Sequence, residues 1–128
     1  MGSEDVPCTC ACCAGPKLIF PCSGASDIGE ITDRAGRRLM RSGVGKMYCL
    51  AGIGGHIPDM ITQAQLASAI LAIDGCEADC AKKTLEQAGF VAFQHLRVTD
   101  LGMEKGKSPA TFNHISAVVE AAKSLLDR

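Results

Sequence analysis

The feature that most constrains the fold of this chain is a regular alternation of short apolar runs with segments of helical periodicity. Four runs have the length and composition of strands: residues 17–21, 46–50, 69–73 and 90–98. The segments between and after them repeat apolar residues at helical spacing: residues 28–39, 58–67, 78–88 and 112–126. Strands that alternate with helices pair in parallel through right-handed crossovers. We therefore predict a three-layer, doubly wound α/β fold of the Rossmann/flavodoxin-like kind, with a mostly parallel sheet of about four strands in the order 2-1-3-4.

The first residues do not share this periodicity. Residues 1–16 contain two prolines around four cysteines, namely Cys8, Cys10, Cys12 and Cys13. Closely spaced cysteines suit soft metal ions, so a second thiolate metal site is one interpretation, and a redox-labile tail is the other. The predicted organisation is a cysteine-rich extension over residues 1–16 and an α/β domain over residues 17–128.

The cysteine content is the unusual part of the composition, with eight cysteines in 128 residues. The acidic start has no apolar stretch typical of a secretory signal, and no apolar run is long enough to span a membrane. We therefore expect a cytoplasmic protein, in which thiols stay reduced and act as metal ligands, reactive groups or small buried residues. A formal net charge of -1 without a basic cluster argues against nucleic acid as a partner.

Four cysteines fall at the ends of predicted elements. Cys22 follows the first strand, Cys49 lies at the end of the second, and Cys76 lies two residues past the third. The carboxyl ends of parallel strands meet at one edge of a sheet, and a helix starting near Cys76 would bring Cys80 onto the same face. Any one of them alone would suit a buried core position. Together they predict a tetrahedral Zn²⁺ site, in which Zn–S bonds are about 2.3 Å.

Two segments carry a resemblance to a known family. Residues 21–30 read PCSGASDIGE and residues 73–80 read IDGCEADC. They resemble the DGC-domain family, which is named for its central Asp-Gly-Cys motif, and the resemblance covers about residues 17–128. It implies zinc chelation by four cysteines, which map onto Cys22, Cys49, Cys76 and Cys80. It implies no defined chemistry beyond metal binding.

Four further residues are candidates for roles around the thiols. We expect Asp74 to fix the turn before Cys76 or to orient the thiolates. Ser23 begins a turn, continued by Gly24 and Ala25, whose backbone N–H groups would stabilise thiolate charge or bind an anion. Lys105 is expected on the same edge, either offsetting the charge of a four-thiolate zinc centre or simply solvated. His56 is a candidate extra ligand because its loop leaves the edge near Cys49.

These observations leave more than one class of function open. The first is a zinc-binding carrier, sensor or accessory protein, since a closed four-cysteine site leaves no position for reactive water, which favours binding over catalysis. The second is a thiol-dependent enzyme with Cys22 as nucleophile. The third is an iron–sulfur or thiol-redox protein, since four thiolates also hold such clusters.

Overall fold

The fold is a parallel sheet covered by helices on both faces. A computed structural model of the chain describes residues 15–127. The predicted extension, with Cys8, Cys10, Cys12 and Cys13, lies outside them apart from residues 15 and 16. The elements run in chain order as β1 Lys17–Pro21, α1 Asp27–Arg41, β2 Lys46–Met47, α2 Leu50–Gly54, α3 Pro58–Gln65, β3 Ala69–Asp74, α4 Cys80–Gln87, β4 Gln94–Arg97, a 3₁₀ turn Val98–Leu101, and α5 Phe112–Leu126.

The sheet has the predicted strand order and direction. Its four strands are parallel in the order β2-β1-β3-β4. β1 and β3 are the central strands and pair over the full length of β1, with Leu18 opposite Ile70 and Phe20 opposite Ala72. Central strands of a parallel sheet are covered on both faces, which explains why both read as continuous apolar runs. The prediction of a doubly wound α/β fold is confirmed.

Two hydrophobic cores lie on opposite faces of the sheet, because successive strand residues point to opposite sides. Ile19, Leu71 and Ile73 are fully buried on the face that α1 and α5 cover. Leu18, Phe20 and Ala72 are buried on the other face, in the core that residues of α2, α3 and α4 complete. None of the helices in residues 15–127 is long and apolar enough to cross a membrane.

The edge strands are shorter than predicted. β2 has two residues because the chain turns away after Tyr48, whose N–H donates to Ile19 O at 2.9 Å. The next residues, two of which were predicted to continue the strand, form the short helix α2 or precede it. β4 begins only at Gln94. The preceding apolar residues are not strand: Phe90 packs into the core against α4, whereas Val91 is 91% exposed.

Candidate functional site

The four predicted ligand cysteines lie at the carboxyl edge of the sheet. Cys22 follows β1, Cys49 precedes α2, Cys76 lies two residues beyond β3, and Cys80 is the first residue of α4. All four are free thiols. Cys22 and Cys76 are partly buried, and Cys49 and Cys80 are exposed.

Two adjoining clefts open at this edge, and Cys22 lines both. The first, called here the thiol cleft, has a volume of about 510 Å³. Its lining includes Cys22, Cys76, Cys80, Asp74, Asp79 and Lys105. The second, called the side cleft, also has a volume of about 510 Å³. Its lining includes Cys22, Cys49, Ser23, Asp33, Arg37 and Tyr48. The four thiols therefore share one edge but are divided between two clefts.

The sulfur atoms are not gathered around one point. Ligands of a tetrahedral zinc with bonds of about 2.3 Å lie about 3.8 Å apart. Within residues 15–127, no three cysteine sulfurs lie within 4.8 Å of one another, whereas Asp74, Asp79 and His95 bring ligand-type atoms that close together. The thiols have the right chemistry for zinc, and a closed tetrahedron requires the sulfur atoms to move closer together than they lie here.

The Cys22 thiol is held by a buried threonine on α1. The Thr32 hydroxyl is fully buried, donates to Gly29 O at 2.7 Å and accepts from Ser23 N–H at 3.0 Å. Cys22 Sγ lies 3.5 Å from the same oxygen. A hydroxyl has one proton to donate, and Thr32 gives it to Gly29, so the Cys22 S–H is the donor in this third contact.

Ser23 adopts an unusual backbone conformation beside that thiol. Its φ of 52° is in the left-handed region, which non-glycine residues rarely occupy. Its N–H donates to Thr32, and its hydroxyl donates to Asp33 Oδ1 at 2.8 Å. The Ser23 N–H is therefore engaged by Thr32 in this structure. Burial raises the pKa of Asp33, but hydrogen bonds from Arg37 and Ser23 outweigh it and lower that pKa overall.

Asp74 caps α4. Its carboxylate is buried, with 1% of the residue exposed. Oδ1 accepts from Ala81 N–H at 2.7 Å, and Oδ2 accepts from Lys82 N–H at 3.0 Å. These are N–H groups of the first helical turn, which have no partner inside the helix. Asp74 thus fixes the helix that begins with Cys80.

The prediction that a helix starts near Cys76 is wrong. Cys76 lies in a turn in which Asp79 N–H donates to Cys76 O at 3.1 Å, and α4 begins four residues later. Asp79 is left-handed, with a φ of 53°, which breaks any continuous helix through both thiols. The spacing of Cys76 and Cys80 therefore does not place them one turn apart on a single helix.

A charged cluster missed by sequence reasoning supports this turn. Arg97 donates two hydrogen bonds to Asp79, at 2.9 and 2.6 Å. These bonds lower the pKa of Asp79 and raise that of Arg97. His95 Nε2 lies 2.9 Å from Asp74 Oδ2 and 3.6 Å from Asp79 Oδ1. The sequence does contain a pattern that could have indicated this cluster: His95 and Arg97 alternate along β4, which pairs with the strand that ends in Asp74.

Two glycines allow the loops around the thiols to pack closely. A Cβ on Gly29 would lie 2.4 Å from Gly24 O, and one on Gly75 would lie 3.1 Å from Ile28 Cγ1. The Asp-Gly-Cys segment therefore has three separate duties. Asp74 caps α4, Gly75 fits against the start of α1, and Cys76 presents a thiol to the cleft.

Of the two remaining candidate residues, Lys105 lies in the thiol cleft and His56 lies outside both clefts. Lys105 lines the thiol cleft, which places it on the predicted edge. His56 follows α2, is exposed, has a φ of 56° and lines neither cleft.

The chain belongs to the DGC domain family, whose sequence pattern it matches over residues 18–122. It is also similar to a protein of Pseudomonas aeruginosa, the anaerobic and virulence modulator AnvM. The two are 34% identical over 88 residues, which cover 69% of this chain and 67% of that protein. Comparison with the solved structures finds no match.

Proposed function

We propose that this protein binds one zinc ion through the thiolates of Cys22, Cys49, Cys76 and Cys80, and acts as a metal carrier, sensor or accessory protein. The observation that carries the proposal is the position of Cys22. It lines the thiol cleft with Cys76 and Cys80, and it also lines the side cleft with Cys49. A ligand set centred on Cys22 therefore needs the least movement of the other three.

The backbone next to two of the thiols has the conformation of a ligand site. Ser23 directly follows Cys22, and Asp79 directly precedes Cys80, and both hold left-handed backbone conformations. Such conformations persist where the surroundings enforce them, and they are frequent at ligand sites. Two of the four cysteines, Cys49 and Cys80, are exposed. Movement of the segment around Cys49, together with rotation of the Cys80 side chain, would bring these sulfurs toward Cys22 and leave the buried strands unchanged.

Accessibility of the thiols favours exchange of the ion over a purely structural role. A structural zinc typically supplies much of the folding energy of a small domain. Here two hydrophobic cores flank the sheet without any contribution from the metal. Free thiols suit a reducing cytoplasm. The AnvM relative is named as a modulator, which agrees with a sensor or accessory role.

Zinc affinity of single and double cysteine variants tests the proposal. The background is the full chain with Cys8, Cys10, Cys12 and Cys13 changed to serine, so that only the domain thiols bind. Competition with a chromophoric chelator should show that each Cys→Ser change at the four sites lowers affinity at least about tenfold, since each removes one bond of a shared site. Double changes should add little. The matched control is His56→Gln, which should keep the parent affinity.

Two results would oppose the assignment. Parent affinity in Cys80→Ser would mean a three-thiolate centre with an open position, which favours an enzyme. A brown protein absorbing at about 400 nm, in place of a colourless zinc protein, would identify an iron–sulfur cluster.

A further inference from the structure

The loop before α5 places one lysine in the thiol cleft. Met103 anchors its first part in the core, with 6% of the residue exposed. Ser108 anchors the other end: it is 6% exposed, and its hydroxyl accepts from Glu104 N–H at 2.8 Å. Between these anchors the loop is exposed and carries two lysines with different surroundings. Lys107 lies 3.5 Å from Glu104, whereas Lys105 lines the cleft with Cys22, Cys76 and Cys80.

Asp27, the first residue of α1, holds this loop in place. Its Oδ1 accepts from Gly106 N–H at 2.9 Å, and its Oδ2 accepts from Ser108 N–H at 3.1 Å. The hydrogen bond from Gly106 is the largest influence on the pKa of Asp27, which is lowered. The carboxylate is therefore ionised at neutral pH and bridges the start of α1 to the residue that follows Lys105.

Lys105 is a basic residue of the thiol cleft for which the described part of the chain offers no ion-pair partner. The two acidic residues that line the cleft are occupied: Asp74 accepts from two N–H groups of α4, and Asp79 is paired with Arg97. Within residues 15–127, no carboxylate lies within 4 Å of the Lys105 ammonium group. A lysine ammonium group that is free of an ion pair and lines the same cleft as three thiols attracts anions into that cleft.

We propose that the thiol cleft receives an anionic small molecule, one that carries a carboxylate or a comparable group, and that Lys105 recognises its charge. Asp27 acts as a positioning residue by docking the loop that bears Lys105. The inference deepens the proposed function, since it concerns the same thiols, but it does not depend on zinc and can be measured on metal-free protein.

Two alkylating reagents that differ mainly in charge test this recognition. Iodoacetate is an anion and iodoacetamide is neutral. With either one, the cysteine sulfur forms a bond to the CH₂ carbon, iodide leaves with the electron pair of the C–I bond, and the thiol proton passes to solvent. Mass spectrometry of the digested, metal-free full chain gives the rate at each cysteine. The measured quantity is the iodoacetate-to-iodoacetamide rate ratio at Cys76 and Cys80.

The expected result is a selective loss in Lys105→Gln. A unit charge about 5–6 Å from a reacting atom changes the approach of an anion by about 3- to 5-fold at low salt, a more distant charge in the same cleft changes it less, and added salt reduces the difference. The ratio should therefore fall by that factor at Cys76 and Cys80 and stay constant at Cys49, which lines the side cleft. Lys107→Gln removes the same charge two residues away and should leave the ratio unchanged. Asp27→Asn should lower the ratio and add little to Lys105→Gln.

Three results would overturn the inference: an unchanged ratio in Lys105→Gln, an equal fall in Lys107→Gln, or equal slowing with both reagents. Zinc affinity of the same proteins separates this inference from the proposed function. Protein that fails to bind zinc but shows the Lys105-dependent ratio would refute the zinc proposal and uphold anion recognition. Protein that binds zinc but shows no change of the iodoacetate-to-iodoacetamide ratio in Lys105→Gln would uphold the zinc proposal and refute anion recognition.

Discussion

The substitution Asp74→Asn tests whether the acidic residue of the Asp-Gly-Cys segment acts through α4. The buried carboxylate accepts three hydrogen bonds: from Ala81 N–H, from Lys82 N–H and from His95 Nε2. An asparagine has the same shape, but its NH₂ group cannot accept. With its oxygen toward Ala81, the asparagine loses the bond from Lys82 N–H and sets its NH₂ against that donor, and it keeps a bond to His95 only when the ring moves its proton to Nδ1.

The expected loss of stability follows from the lost Lys82 bond, from the two donors that then face each other, and from the replacement of a charged acceptor at His95. A hydrogen bond to a charged group contributes about 1.5–3 kcal/mol, and removing the charge from a buried site offsets part of the loss. We therefore expect Asp74→Asn to lower the free energy of unfolding by about 3 kcal/mol. Urea denaturation of metal-free protein at pH 7 measures it. Hydrogen exchange at the Ala81 and Lys82 amides should accelerate more than exchange at the β1 amides.

A matched control exists on α3. Asp59 is exposed in the first turn of that helix, so Asp59→Asn should cost less than about 0.5 kcal/mol. A loss below about 1 kcal/mol for Asp74→Asn, or no difference from Asp59→Asn, would show that Asp74 does not hold α4 in place.

Three further predictions concern the surroundings of the thiols. Gly29→Ala would place a Cβ 2.4 Å from Gly24 O and should lower the free energy of unfolding by at least about 2 kcal/mol, whereas Gly54→Ala, with 3.4 Å to Thr84 Cγ2, should be nearly neutral in the same urea assay. Removal of residues 1–14 should leave a folded protein with the zinc affinity of the full chain, because the shortened chain keeps the hydrogen bond from Ser68 N–H to Pro16 O at 2.9 Å. Loss of the folded circular-dichroism spectrum, or loss of zinc binding, would refute this prediction. Because the pKa of Asp27 is lowered, its hydrogen bonds to the backbone amides of residues 106 and 108 are fully present above its ordinary pKa of 3.8 and are lost as pH falls through the lower folded value. Protection of these two amides from hydrogen exchange should therefore decline below pH 3.8 in the parent protein. In Asp27→Asn, protection should show no such pH dependence.

The order of the sheet could be predicted because β1 and β3 carry unambiguous signals. Both are apolar at nearly every position, which fits strands covered on two faces, and right-handed crossovers then leave few possible arrangements. The edge strands were harder. β2 is only two residues long. The apolar residues before β4 are not in a strand: Phe90 is buried in the core, and Val91 is exposed. Periodicity alone does not separate strand from packed loop.

The placement of the four cysteines at one edge followed from the strand order, but their mutual geometry did not. The start of α4 depends on the left-handed Asp79 and on its pairing with Arg97, which is distant in sequence. The contact of Thr32 with Cys22 could not be predicted either, since a threonine inside an amphipathic helix gives no indication of a contact with the preceding loop. Lys105 was expected at this edge, and its position in the cleft required the docking of its loop by Asp27.

The central claim, a zinc ion held by four thiolates of the domain, is tested most directly by zinc K-edge X-ray absorption. The sample is the full chain with Cys8, Cys10, Cys12 and Cys13 changed to serine and loaded with one equivalent of zinc. The account predicts four sulfur neighbours at about 2.3 Å and no nitrogen or oxygen in the first coordination shell. Three or fewer sulfurs, or a shell completed by nitrogen or oxygen at about 2.0–2.1 Å, would contradict it.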